Sequence, residues 1–189
     1  MKNKGHVEIE GHENPLVSVV VVDSRSKTNP EWVEKCLKSV REQWFKEWEL
    51  VIVENTEKKL GVSAAYNLGV DNSKGKWVLF LGDDDWITKD YLFQLYNLGE
   101  EMAEKVVSVT SFQTWFNEEK AILVQKSPQG MWLREYIIEN KFNENMPKWV
   151  DMDLLDRTIR QDKEMRCMTW NYGYYYRSHD GQVSGKKRL

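Results

Sequence analysis

The run Leu16-Val17-Ser18-Val19-Val20-Val21-Val22 constrains the fold most. Branching at Cβ restricts these side chains and suits them to a pleated surface. Apolar residues without polar alternation mark a strand buried on both faces, as in a parallel sheet. Leu50-Val51-Ile52-Val53 and Trp77-Val78-Leu79-Phe80-Leu81 repeat the pattern. Between the first two strands, Asn29-Pro30 reads as a cap followed by proline in the first helical turn. Trp32, Val33, Cys36, Leu37, Val40 and Trp44 recur at helical spacing, which predicts an amphipathic helix of about four turns. A strand, helix, strand order implies a parallel crossover. The expected fold is therefore α/β, with a mixed, mainly parallel sheet flanked by helices.

The third strand ends in Gly82-Asp83-Asp84-Asp85-Trp86. Like charges this close raise one another's pKa, and they stay ionised only beside a cation or good donors. A hard divalent ion with oxygen ligands is the simplest partner. In open α/β sheets, ligands sit at the carboxyl ends of strands, where this triplet falls. A solvated turn is the plainer reading of the same residues. The apolar run before them and the tryptophan after them favour a pocket rim.

The rest of the chain supplies the frame. Residues 1–14 are polar and aperiodic and read as a loose leader, with 15–189 as one domain. Gly61 to Gly69 reads as a short, tightly packed helix closed by its glycine. Thr88 caps a helix whose inner face is Tyr91, Leu92, Leu95 and Leu98. Val106–Thr110 and Ala121–Val124 read as strands paired through a loop around Asn117. Trp132, Leu133, Tyr136 and Ile137 mark a short helix. Asp151 and Asp153 lie in the first turn of another, where carboxylates complement the helix dipole. Met165 to Tyr176 is strand-like.

Composition excludes several classes. A net charge of -3 argues against a nucleic-acid binder. The terminal run Lys186-Lys187-Arg188 reads as a solvated tail, with peripheral contact to anionic lipid as the alternative. No apolar run is long enough to span a membrane. Cys36 and Cys167 make neither a disulfide framework nor a metal spacing, which points to a reducing, cytoplasmic setting. His6 and His12 read as exposed bystanders. Nine tryptophans are unusual for 189 residues. Trp77, Trp86, Trp115, Trp132, Trp149 and Trp170 include candidates for a sugar-stacking platform among core residues.

Taken in order, four stretches resemble the inverting family 2 glycosyltransferases with the A-type nucleotide-sugar-binding fold. They are Pro15–Val22; Gly61–Gly69 with Lys74–Trp77 and the strand after it; Gly82–Asp85; and Asp151–Arg157 with Tyr175-Tyr176-Arg177-Ser178-His179 and Ser184. The resemblance implies a Rossmann-like sheet, a nucleotide-sugar donor and a glycan or other hydroxyl acceptor. Asp83 and Asp85 would be the Asp-x-Asp pair holding Mn²⁺ or Mg²⁺ against the donor diphosphate. Asp84 is the alternative if the motif aligns one position over, with Gly82 in place of its first acid. His179 would lie near the diphosphate and the metal. Asp151 would be the general base. Glu54 and Asn55 fall where the family contacts the nucleotide base, and Asp23 lies in the first-strand loop lining the same pocket.

The chain departs from that family in its first loop, Asp23-Ser24-Arg25-Ser26, where relatives commonly have Pro-Thr-Tyr-Asn. Only Glu57-Lys58-Lys59-Leu60 separates the second strand's end from Gly61, where relatives insert more structure. Tyr66 replaces a usual arginine, and Val150 a usual glutamate. The donor nucleotide, the sugar, the acceptor and the oligomeric state stay open. A binding module of the same fold with little turnover is the second reading. A metal-dependent phosphotransferase or nucleotidyltransferase is the third, and the chain lacks a Gly-rich phosphate loop of the P-loop type.

Overall fold

The computed structural model describes residues 5–57, 59–102, 104–116, 121–168 and 172–179, and of residues 121–129 and 166–168 the backbone alone. Trp170, Ser184, the Lys186–Arg188 run and the loop around Asn117 lie outside the described residues, as does the Cys167 side chain.

The chain runs through β1 (His6–Gly11), β2 (Val17–Asp23), α1 (Pro30–Arg41), β3 (Trp48–Glu54), α2 (Val62–Asn72), β4 (Trp77–Leu81) and β5 (Trp86–Ile87). It continues through α3 (Tyr91–Met102), β6 (Val106–Phe116), β7 (Ala121–Leu133), α4 (Arg134–Glu139), α5 (Val150–Arg160), β8 (Glu164–Met168) and β9 (Tyr174–Arg177). The strands form one mixed sheet in the order β1-β3-β2-β4-β7-β6-β9-β5, with β8 also paired to β6. Its centre is parallel: β2 pairs with β3 on one side and β4 on the other. β1, β7 and β5 join their neighbours antiparallel.

Side chains alternate across a strand, so each central strand serves two cores. Val17, Val19 and Val21 of β2, with Trp77, Leu79 and Leu81 of β4, face Cys36 and Val40 of α1 and Leu92 and Leu95 of α3. Val20, Val51, Val78 and Phe80 face Val70 of α2, Ile137 of α4 and Leu154 of α5. Burial on both faces is why these strands read as continuous apolar runs.

Residues 6–11 correct the expectation of a loose leader. They pair antiparallel with β3, from His6 opposite Glu54 to Gly11 opposite Glu49. The signal was period two, with Val7 and Ile9 alternating with Glu8 and Glu10. Charged residues on such an edge also discourage pairing with another chain.

Three element ends differ from the sequence reading. α1 stops at Arg41, and Trp44 is 69% exposed. Gln43 takes the chain out of the helix: its side chain donates to the carbonyls of Ser39 and Thr88 and accepts from the Leu92 N–H. α2 continues past Gly69 to Asn72. Gly69 serves close packing rather than helix termination, since a Cβ there would lie 2.3 Å from Val20 Cγ1. Trp132 and Leu133 end β7 instead of starting a helix, and α4 begins at Arg134.

Candidate functional site

Parallel pairing gathers three strand ends at one edge. Asp23 and Glu54 are register partners at the ends of β2 and β3. Val21 is level with Leu81, which precedes Gly82. The Asn55 N–H donates to the Asp23 carbonyl at 2.8 Å. Asp23, Glu54, Asn55 and the triad therefore share the carboxyl end of the sheet. The Asn55 side chain is turned to its own loop, donating to the Leu60 carbonyl and accepting from the Leu60 N–H, both at 3.0 Å. Nearby, Thr56 Oγ1 and Ser63 Oγ are buried without a hydrogen-bond partner in the protein.

The three aspartates, alike in sequence, sit in three environments. Asp83 is 3% exposed and accepts from the Ser24 N–H at 2.7 Å, the Ser24 hydroxyl at 2.9 Å and the Arg25 guanidinium. Burial pushes its carboxyl up from the ordinary range, against the pull of Arg25. Asp85 is 2% exposed, and both its oxygens are engaged: Oδ2 by the Tyr174 hydroxyl at 2.7 Å, Oδ1 by the Arg177 N–H at 2.9 Å. Burial, then the neighbouring Asp84 charge, raises its pKa well above the usual carboxylate range. Asp84, at 9%, is the most exposed of the three. Its Oδ2 meets His179 Nε2 at 2.7 Å and Arg25 Nη2 at 3.2 Å.

The residues around the triad come from distant elements. The loop after β2 is shaped by Asp23, whose Oδ1 accepts the backbone N–H groups of Arg25 and Ser26. β9 brings Tyr174 and Arg177, and His179 lies two residues beyond. Arg177 Nε donates to the Asp84 carbonyl at 2.9 Å, and its guanidinium lies 4.7 Å from the Trp32 ring and 5.1 Å from Trp86. Trp32 also packs on the His179 ring at 4.9 Å. Trp86 stacks on Tyr175 and carries Lys35 Nζ 3.2 Å from its centroid on α1's side. Arg177, Tyr174, Ser24 and Arg25 were not among the predicted site residues. Only the closing Tyr-Arg-x-His stretch hinted at the first.

Asp151 sits in the first turn of α5. Burial raises its pKa, opposed by the Met152 N–H, which donates to Oδ1 at 2.9 Å. Tyr66 lies on α2, its ring 5.1 Å from Phe80 and 5.3 Å from Phe142. Burial, then the charges of Asp83, Asp151, Asp85 and Asp84, hold the Tyr66 hydroxyl protonated far above its ordinary value. The charges of the triad and of Asp151 both bear on this one side chain. Just before Asp151, Trp149 adopts the left-handed conformation (φ 62°, ψ 30°) and is 39% exposed. Trp77 and Trp132, by contrast, are core residues.

Residues 13–158 match the model of Glycosyl transferase family 2. The chain belongs to that family. Glycosyltransferase GlyA of Streptococcus pneumoniae serotype 4 is 31% identical in an alignment covering 34% of this chain and 13% of that protein. EpsH of Bacillus subtilis (strain 168) is 24% identical, over 50% of this chain and 33% of that one. The crystal structure of S. aureus TarS 1-349 in complex with UDP-GlcNAc superposes with a TM-score of 0.73 at 16% identity, covering 92% of this chain and 61% of that one. The shared fold is the A-type one, a curled mixed sheet flanked by helices, as the family resemblance implies. This family 2 chain spans less than two thirds of the length of each of these proteins.

The family implies a divalent cation, and the donor set can be tested for it. Among the described residues no three His, Cys, Asp or Glu side chains form a metal cage. A Mg²⁺- or Mn²⁺-diphosphate site needs no such cage, since one or two protein ligands plus substrate phosphates and water suffice. Asp84 Oδ2 and His179 Nε2 are suited to Mn²⁺ and lie together at the partly exposed edge of the triad. The residues fit. Asp85, with both oxygens taken, is positioned as scaffold instead. Among the described residues no helix is long and apolar enough to cross a membrane.

Proposed function

We propose that this chain is a metal-dependent, inverting glycosyltransferase that moves a sugar from a nucleotide-diphosphate donor to a hydroxyl acceptor. The observation that carries the reading is the Asp84–His179 pair at the carboxyl end of the sheet, Oδ2 2.7 Å from Nε2 with Arg25 beside it, in a family 2 chain. Asp84 and His179 would hold the cation. Asp83 and Asp85 shape the loop that presents Asp84. Asp23 and Glu54, level at the ends of β2 and β3, are the groups placed to meet the nucleotide. TarS, of the same fold, was crystallised with UDP and with UDP-GlcNAc, which makes these the first ligands to try.

The reaction needs two things from the protein. Asp151 takes the proton of the acceptor hydroxyl as that oxygen bonds to the anomeric carbon and the bond to the diphosphate oxygen breaks. Burial, by raising its pKa, makes the carboxylate a stronger base than one in water. The cation, when bound, neutralises charge developing on the departing diphosphate. Arg25 and Arg177 add fixed positive charge beside it.

The test is binding and turnover measured together. Mn²⁺ with UDP or UDP-GlcNAc should raise the melting temperature of the wild type, because a ligand of the native state stabilises it. Asp84→Asn should abolish that shift. Asp151→Asn should keep the shift and lose on the order of 10²- to 10⁴-fold in turnover. The acid limb of kcat/KM should lie above the ordinary carboxylate value of about 4, since Asp151 acts ionised and burial moves its pKa up. Donor turnover unaffected by Asp151→Asn would refute the assignment of the base. A shift with Mn²⁺-nucleotide but no transfer to any hydroxyl acceptor would favour the binding module.

A further inference from the structure

Arg25 stands where the proposed function needs a cation. Its Nη1 donates to Asp83 Oδ1, and its Nη2 lies 3.2 Å from Asp84 Oδ2, the oxygen that His179 also contacts. The Arg25 side chain is 19% exposed, and the side chains of Asp83 and Asp84 are 3% and 12% exposed, so the pairing is largely shielded from water. Its position is fixed by the backbone. Asp23 Oδ1 ties down the Arg25 and Ser26 N–H groups, and Ser24 is clamped to Asp83 through both its N–H and its hydroxyl. An arginine fork suits this task, since it can serve two carboxylates at once and does not lose its charge.

One oxygen of Asp84 thus has two claims on it: Arg25 in the chain as it stands, and a divalent ion in the donor complex. We propose that Arg25 competes with the metal for Asp84 and passes to the donor diphosphate when metal and nucleotide enter together. The inference rests on the metal-dependent reading above and adds the residue that makes metal entry conditional on the diphosphate. The chemistry is balanced at each stage. Without ligand, the guanidinium offsets the charge of Asp83 and Asp84. With ligand, the divalent ion takes over Asp84, and the freed Nη2 meets a diphosphate oxygen, which an arginine fork binds well. Coupling of this kind is reciprocal: the diphosphate must strengthen metal binding by the factor that the metal strengthens diphosphate binding.

The test keeps the two ligands apart. Mn²⁺ alone is titrated by electron paramagnetic resonance of the free ion. Inorganic pyrophosphate, which carries the diphosphate chemistry without a base, is titrated calorimetrically in the presence of a chelator. Arg25→Gln keeps a polar side chain of similar reach without the charge. It should bind Mn²⁺ at least about fivefold more tightly than the wild type, the lower range of measured couplings. It should bind pyrophosphate correspondingly more weakly. Adding Asp84→Asn to it should erase the gain in Mn²⁺ affinity. Arg25→Lys, a point charge unable to span both carboxylates, should fall between and carries the test if Arg25→Gln does not fold. An Arg25 variant with wild-type Mn²⁺ affinity overturns the competition, and one with wild-type pyrophosphate affinity overturns the hand-over. If the wild type takes up Mn²⁺ with UDP in either case, the proposed function survives that failure. If neither protein takes up Mn²⁺ with or without UDP, the metal reading itself is lost, and this inference with it.

Discussion

Three adjacent aspartates with nearly equal affinities for protons in water have separate duties here. Asp85 is a structural acceptor: Tyr174, fully buried, and the Arg177 backbone both spend their donors on it. Asp83 holds the β2 loop through Ser24 and Arg25. Asp84 alone reaches the edge. Asp85→Ala should therefore strand two buried donors at a cost of about 1–3 kcal/mol each, as unsatisfied buried groups do. For a chain of this size each kcal/mol lowers Tm by about 2–4 °C. Asp84→Asn keeps the shape and one acceptor oxygen at a site nearer the surface, and should lower Tm less than half as much. Thermal unfolding without ligand checks the pair, and equal losses would contradict the division of duties.

At the scale of elements, close approach decides where things sit. α2 lies against β2 because Gly69 offers no Cβ to Val20. That contact sets the position of α2 and so of Tyr66, three residues earlier, whose ring packs on Phe80 of β4. Gly69→Ala should force the helix off the sheet and cost about 1–3 kcal/mol, the usual penalty for overpacking a core. Its denaturant midpoint should fall with an unchanged slope. Better helix propensity for alanine predicts the opposite sign, by at most about 1 kcal/mol, so the direction is decisive. The same position shows what a local reading misses. A glycine after a helical pattern looks like a stop, and only the facing strand reveals it as a contact. Trp44 is the converse case: its spacing continued α1, while Gln43 bonded to the Thr88–Leu92 segment drew the backbone away.

The whole molecule is a sheet whose centre is buried and whose edge strand β1 covers β3. Cutting residues 1–11 should leave the outer N–H and C=O groups of β3 unpaired, and such edges recruit other chains. The shortened protein should unfold at lower temperature and scatter light at concentrations where the full chain stays clear. An unchanged melting temperature would mean that β1 is an accessory. At this scale, too, the strand ends are gathered: β2, β3 and β4 end together, and β9 brings Arg177.

What the chain alone determined was what its neighbours in sequence could enforce. Val17–Val22, Leu50–Val53 and Trp77–Leu81 had to be buried strands because all their side chains but Ser18 are apolar. A parallel centre followed, and with it the edge where Asp83–Asp85 would end up. The place of His179 beside Asp84 was hinted at only by the closing family-like stretch. Arg25 was visible only as an unusual residue in a loop. Which aspartate faces outward, and which cation already faces it, depended on partners drawn from positions 24, 25, 174, 177 and 179. Hydrogen bonds between residues so far apart leave no periodicity in a sequence; they exist only once the sheet has brought the ends of its strands together.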